Sequence, residues 1–275
     1  MHCLPPTAIH KEKRVRILSN ENLIRTRSLW SGRFMFVGFG LTLLAAVLIF
    51  YRPTDAQFVL LAYIFLIGGF IISNIGAGAA SKWRREPRPD QALAKALKGL
   101  DNRHRLYNYL LPAEHVLLTP TGIKVFQVRR IAGDISCNGD KWSHKRGVLA
   151  FLRFAAEEQL GNPTRDIQRD LKLMQEFLDK NLEGVQVPMQ GLILFAHPAA
   201  RLTLTNPSVP VLTNDEVKPY LRKELTQAAK LDADTYDDLA DLFDSVEGAE
   251  ETSEPEPEPA AKRTTRAKGA KTGKK

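Results

Sequence analysis

Two stretches without a single charged residue constrain this chain more than anything else in it. They are Phe34–Tyr51, FMFVGFGLTLLAAVLIFY, and Phe58–Ala80, FVLLAYIFLIGGFIISNIGAGAA. A helix that crosses the hydrocarbon core of a bilayer needs roughly 20 apolar residues. Both stretches qualify, and the YRPTDAQ joining them has room only for a turn, with Pro53 to break the helix. The expectation is a transmembrane helical hairpin over 34–80, with spans at 34–51 and 58–80. A cleaved leader fits poorly, because the basic region ahead is long and a second span follows at once.

Basic residues near the spans set orientation. Lys11, Lys13, Arg14, Arg16, Arg25, Arg27 and Arg33 precede the first, and Lys82, Arg84, Arg85 and Arg88 follow the second. The turn has only Arg52, offset by Asp55. The expected topology is a two-span plasma-membrane protein with both termini cytoplasmic and residues 1–33 as a basic cytoplasmic segment. Trp30, Tyr51 and Trp83 fall at the span ends, where amphipathic rings favour the interface. Small residues recur at four-residue steps, Gly38, Thr42, Ala46 and Gly69, Ser73, Ala77. Such faces let helices approach closely, within the hairpin or between chains.

Residues 85–230 read as a compact α/β domain of about 150 residues. After the extended REPRP, DQALAKALKGL spaces Leu93, Leu97 and Leu100 helically, with Asp90 as a natural N-cap. RLYNYLL is a strand or a helix end. HVLL and IKVFQVR are strands joined by a Thr-Pro-Thr-Gly turn, and ISCNGDKWSH is a further strand and turn. Thr164–Leu182 is an amphipathic helix with Ile167, Leu171, Met174, Phe177 and Leu178 on one face. QGLILFAHP is a buried strand, and SVPVLTNDEVKPYLRKEL is a short strand followed by a helix capped near Asn214 or Asp215.

The formal charge of +8 favours acidic partners, but it is unevenly spread. Residues 232–258 hold twelve acids and no Lys or Arg, whereas 262–275 hold seven Lys or Arg and no acid. Within the acidic part, DTYDDLADLFDSV can form an amphipathic helix; otherwise 231–275 is expected to be a disordered acidic-then-basic tail. Its basic end, with Lys262, Arg263, Arg266, Lys268 and Lys271, suits nucleic acid or the anionic inner leaflet. Cys3 and Cys137 are too few for a disulfide framework or a zinc site.

Several stretches, in order, carry a resemblance: DQALAKALKGL, EHVLLTPTGIKVFQVRRIAGDI with its Pro120–Thr121–Gly122 turn, Gly133, Trp142, NPTRDIQRDLKLMQEFL and GLILFAHPAARLTL. Over about half the chain these resemble the nuclease-related (NERD) domain, a member of the restriction-endonuclease-like PD-(D/E)XK superfamily. The resemblance implies an α/β domain with a mixed central sheet, and metal-assisted phosphodiester hydrolysis in active members. There, carboxylates hold Mg²⁺ and a lysine stabilises developing charge. An acid of the opening helix falls at Asp90, the Asp of the first hairpin strand at Glu114, and the Glu-x-Lys of the second at Gln127 and Arg129.

Each departure weakens that chemistry. Glu114 keeps the charge but moves it by a methylene, Gln127 offers a single neutral carbonyl, and Arg129 cannot lose a proton near neutral pH. Alternation along the strand puts Lys124 on the face opposite Gln127 and Arg129, away from any metal pocket. The resulting expectation is a degenerate site. Glu114 is the one candidate metal ligand, Mg²⁺ is needed only if cleavage survives, and Arg129, Arg130 and the basic tail contact DNA or RNA. An active endonuclease with a rearranged site and a non-enzymatic membrane scaffold are the alternatives.

Overall fold

The computed structural model describes residues 15–145, 158–182, 184–246, 248 and 250–251. In chain order these form β1 (Arg16–Ser19), α1 (Glu21–Tyr51), α2 (Ala56–Trp83), α3 (Pro89–Leu97), β2 (Arg105–Asn108), β3 (His115–Thr119), β4 (Gly122–Arg129), β5 (Gly133–Asn138) and β6 (Lys141–Lys145). Then come α4 (Pro163–Asn181), β7 (Met189–Phe195), β8 (Ala200–Thr205), β9 (Val211–Thr213), α5 (Asn214–Gln227), α6 (Ala233–Asp244) and β10 (Glu250–Glu251).

α1 and α2 form an antiparallel pair, long and apolar enough to cross a membrane. Only 11% of each apolar window is buried, so these are not core helices of the domain; Phe36, Phe50, Phe70 and Ile75 all face outward. The helices meet through glycine. A Cβ at Gly38 would lie 2.6 Å from Gly69 O, and one at Gly76 would lie 2.4 Å from Met35 N. The small-residue face differs from the four-step expectation at its ends. Ala45 is fully buried while Ala46 is exposed, and Gly76 is buried where Ala77 is only half-buried. Steps of four then three, 38–42–45 and 69–73–76, keep a 3.6-residue helix on a seam of nearly 3.5.

The domain is built on a mixed seven-stranded sheet, β10-β1-β2-β3-β4-β7-β9, with β6-β5-β8 as a second, three-stranded sheet. The antiparallel β3–β4 hairpin lies at its centre and β7 runs parallel to β4. Gly122 ends the tight turn at φ +132°, and a Cβ there would lie 2.2 Å from Pro188 O, so the position needs glycine. One sheet face packs Ile123 and Val125 against Ile167, Met174 and Leu178 of α4; the other packs Leu117, Phe126 and Leu192 against α3 and α5. A Cβ on Gly191 would lie 2.6 Å from Ile167 Cγ1, so its absence lets α4 sit directly on β7.

Three features differ from the expected organisation. β1, inside the segment read as a basic extension, pairs in parallel with β2 and carries the sheet across the hairpin. α6, inside the stretch read as a disordered tail, buries Leu239, Ala240 and Phe243 in the core, and Asp244 accepts from Arg16 Nη1 (3.0 Å), Arg105 Nη1 (2.8 Å) and Tyr107 Oη (2.7 Å). The amphipathic helix expected in DTYDDLADLFDSV is therefore present, but its apolar stripe is buried in the core of the domain and its outer acids face solvent. Asp90 is not the N-cap of α3: Arg88 takes that place, Pro89 follows, and Asp90 sits in the first turn, where its charge suits the helix dipole. The basic tail residues Lys262, Arg263, Arg266, Lys268 and Lys271 lie outside the described residues.

Candidate nuclease-type site

β4 sends Gln127 and Arg129, two residues apart, toward α4. α4 answers with Asp166 and Asp170, four residues apart on one helical face. Strand period two meets helix period 3.6, so the four side chains pair off in two rungs. Gln127 Nε2 donates to Asp170 Oδ2 at 2.5 Å, with both residues almost fully buried. The Arg129 guanidinium donates to Asp166 through Nη2 and lies 3.6 Å from Glu158 Oε1 through Nη1. Its fork, the geometry that suits a phosphate, is therefore spent on two carboxylates of its own chain.

Glu114 stands at the mouth of this row, just before β3. Lys82 Nζ, in the last turn of α2, reaches it at 2.5 Å. Burial works to raise the Glu114 carboxyl, but Lys82, with His115 and Arg129, outweighs it and holds the group below the ordinary carboxylate value. Asp170 shifts the other way. Its burial raises the carboxyl, the Gln127 and Arg169 hydrogen bonds pull it partly back, and the charge on Glu114 adds to the rise. Glu114, Gln127, Arg129 and Asp170 thus form one electrostatic neighbourhood.

Asp90 belongs to the other side of the same sheet end. Arg88 clamps it twice, Nε to Oδ1 at 3.2 Å and Nη2 to Oδ2 at 3.0 Å. Beside it lie Tyr109, with φ +58°, and His115, their rings 4.9 Å apart. Asn108 fixes the imidazole: its Nδ2 donates to Ser19 Oγ, leaving Oδ1 to accept from His115 Nδ1 at 2.8 Å. Nε2 is then a bare lone pair, and it is buried without a partner among the described residues. Burial depresses this histidine to about 4, against the opposing pull of Glu114 and Asp90, so it is neutral at physiological pH. Lys124 lies on the α5 face, buried, where it donates to Gln190 Oε1 at 3.1 Å and to Glu224.

These residues do not suit a divalent cation. Gln127 turns its amide toward Asp170, Glu114 is already paired with an ammonium, and Asp90 is held by a guanidinium. Among the described residues, no three His, Cys, Asp or Glu side chains are grouped to hold a metal ion.

Sequence reading missed Lys82, Asp166 and Asp170. The i, i+4 acids in TRDIQRDLK were a signal, since they border the apolar stripe that seats α4. Lys82 gave none, being indistinguishable from the other basic residues beside the span. Of the expected phosphate contacts in the described region, Arg129 is engaged, whereas Arg130 is half-buried and donates through Nη1 to Arg85 O at 2.9 Å.

A central antiparallel hairpin with polar side chains aimed at one flanking helix, and a second helix across the sheet, makes this an α/β domain built on a mixed sheet. Residues 82–196, from the last turn of α2 to just past β7, match the family model of the nuclease-related domain, and the chain carries that domain, in keeping with the PD-(D/E)XK superfamily. Comparison with curated proteins and with solved structures gave no match.

Proposed function

We propose that this is a membrane-anchored, catalytically degenerate nuclease-related protein that binds nucleic acid, or another acidic partner, at the cytoplasmic face of the plasma membrane. The observation that carries this reading is the internal neutralisation of the site. All three groups at the family's hairpin positions are bound to side chains of the same protein, Glu114 to Lys82, Gln127 to Asp170 and Arg129 to Asp166. Membrane anchoring is supported by the outward-facing apolar surface of α1 and α2. Pairing of β1 with β2 supports one topology, because it brings the chain before the hairpin and the chain after it into one sheet on one side. The excess of basic residues on that side supports a cytoplasmic location for it.

The test is a gel shift of the full chain with DNA and RNA across a salt series, beside incubation with plasmid and Mg²⁺ or Mn²⁺. Affinity falling steeply with salt, with a shallower slope after removal of 262–275, and an intact plasmid are expected. Salt-insensitive binding, or cleavage lost in Glu114→Ala, overturns the reading. One observation favours the rearranged-nuclease alternative: α4 sets the Asp170 carboxylate directly against Gln127, the position to which the family resemblance gives a glutamate. Cleavage abolished by Asp170→Asn would select it. Binding of neither nucleic acid at low salt would leave the scaffold reading.

A further inference from the structure

We propose that the base of the helical hairpin carries an anionic-phospholipid site, formed by Arg25, Arg27 and Arg33 of α1 with Arg84 and Arg85 just beyond α2. The cations at this end of the hairpin divide into two sets. Lys82 and Arg88 are committed to the site acids, at 2.5 Å from Glu114 and 3.0 Å from Asp90. The five arginines are exposed and make no ion pair with a described residue. At the opposite end Arg52 has its own acid, Asp55, at 3.9 Å. An unneutralised collar therefore exists at one end only.

The collar is built across both helices. Arg84 lies over α1 at Gly32, where a Cβ would come 2.5 Å from its Nη1, so the guanidinium rests against the bare backbone of the facing helix. Arg33 stacks on the Trp30 ring at 5.3 Å, and Trp83 closes the other helix at the same level. Directly above begins the exposed apolar band, with Phe36, Val37 and Phe39. Guanidinium forks that lack acids, next to interfacial tryptophans and a lipid-facing surface, match the phosphodiester of an anionic headgroup and the acyl chains attached to it. Nucleic acid offers the same phosphodiester but nothing to cover the apolar band, which selects lipid.

The inference rests on the membrane reading above, and the test separates the two. Full-length protein is placed in vesicles of equal phosphatidylcholine and phosphatidylglycerol, and retention after alkaline carbonate is scored. The protein is then extracted in non-ionic detergent, and its co-retained lipids are quantified by native mass spectrometry. Retention in carbonate and a several-fold enrichment of phosphatidylglycerol are expected. The variant R25Q/R27Q/R33Q/R84Q/R85Q should lose the enrichment but stay in the membrane. R33K/R84K/R85K, which keeps the charge, should hold most of the enrichment and guards against misfolding. Release by carbonate removes the membrane reading and this proposal with it. Retention without enrichment, or enrichment unchanged in the glutamine variant, overturns the lipid site alone. Loss of nucleic-acid binding in that variant with lipid enrichment intact also overturns it.

Discussion

Lys82 Nζ sits 2.5 Å from Glu114 Oε1, so the last turn of the apolar hairpin supplies the cation at a position where a metal-dependent relative would keep a ligand. Trp83 packs on Tyr109 at 4.9 Å between ring centres, and Arg130 reaches the Arg85 carbonyl at 2.9 Å. Glu114 thus serves as a fastening point between hairpin and domain. The side chains are 36% and 42% exposed, so solvent screens the pair, and its contribution is about 1 kcal/mol. Lys82→Met and Glu114→Gln should each speed tryptic cleavage after Arg84 or Arg85 several-fold in the full chain, and K82E/E114K should restore protection. Equal cleavage of wild type and both single variants would show that this pair does not hold the hairpin base.

Gln127→Glu, which places at this position the acid that the family resemblance implies, should destabilise the domain. The new carboxylate would face Asp170 across a 2.5 Å contact at a site where both residues are at most 5% exposed. Two buried carboxylates at that distance cannot both ionise cheaply, and the folded pair would titrate well above the unfolded groups. Its folded form then holds more protons, so the penalty is absent at low pH and grows as pH rises past the ordinary carboxylate value. Chemical denaturation should show a loss of roughly 2–4 kcal/mol at pH 8 and much less near pH 4. The double variant with Asp170→Asn should recover most of it. A pH-independent loss would mean that packing, not charge, is responsible.

Periodicity made the central sheet legible. Alternation along GIKVFQVR correctly put Lys124 opposite Gln127, and the 3.6 pattern of residues 164–182 located α4 and the face it buries. What stayed hidden depends on partners remote in sequence. RILS reads as part of a basic leader until β2 lies beside it, 89 positions on. α6 reads as an isolated amphipathic helix within an acidic tail, and only Tyr107, on which Phe243 packs with ring centres 5.3 Å apart, gives it a place in the core. The site was half visible: Gln127 and Arg129 could be placed on one face of β4, but not that Asp170 and Asp166 would meet them or that Lys82 would reach Glu114.

His115 should tie stability to pH. Its folded value of about 4 lies below the ordinary 6.5, so the unfolded chain binds the extra proton first as pH falls. The stabilisation is complete above the ordinary value and declines through the window down to about 4. About 2 kcal/mol should be lost between pH 7.5 and 5 from this group. His115→Gln keeps an amide donor for Asn108 and does not titrate, so its stability should be flatter over that interval. Parallel wild-type and variant curves would remove His115 as the cause.

The acidic helix α6 should prove integral to the domain despite its composition. Phe243 is fully buried against Tyr107 and Phe177, and next to it Asp244 takes three donors from β1 and β2. Phe243→Ala opens a cavity in the main core and should cost about 3–5 kcal/mol in chemical denaturation. Asp244→Asn keeps the shape but removes the charge that two guanidinia and a phenol share, and about 1–3 kcal/mol should follow. Truncation after residue 230 should cost at least as much as Phe243→Ala, and truncation after 251 almost nothing. Equal stability of the two truncated chains would show that the strand β1, and with it the route from sheet to hairpin, does not depend on this helix.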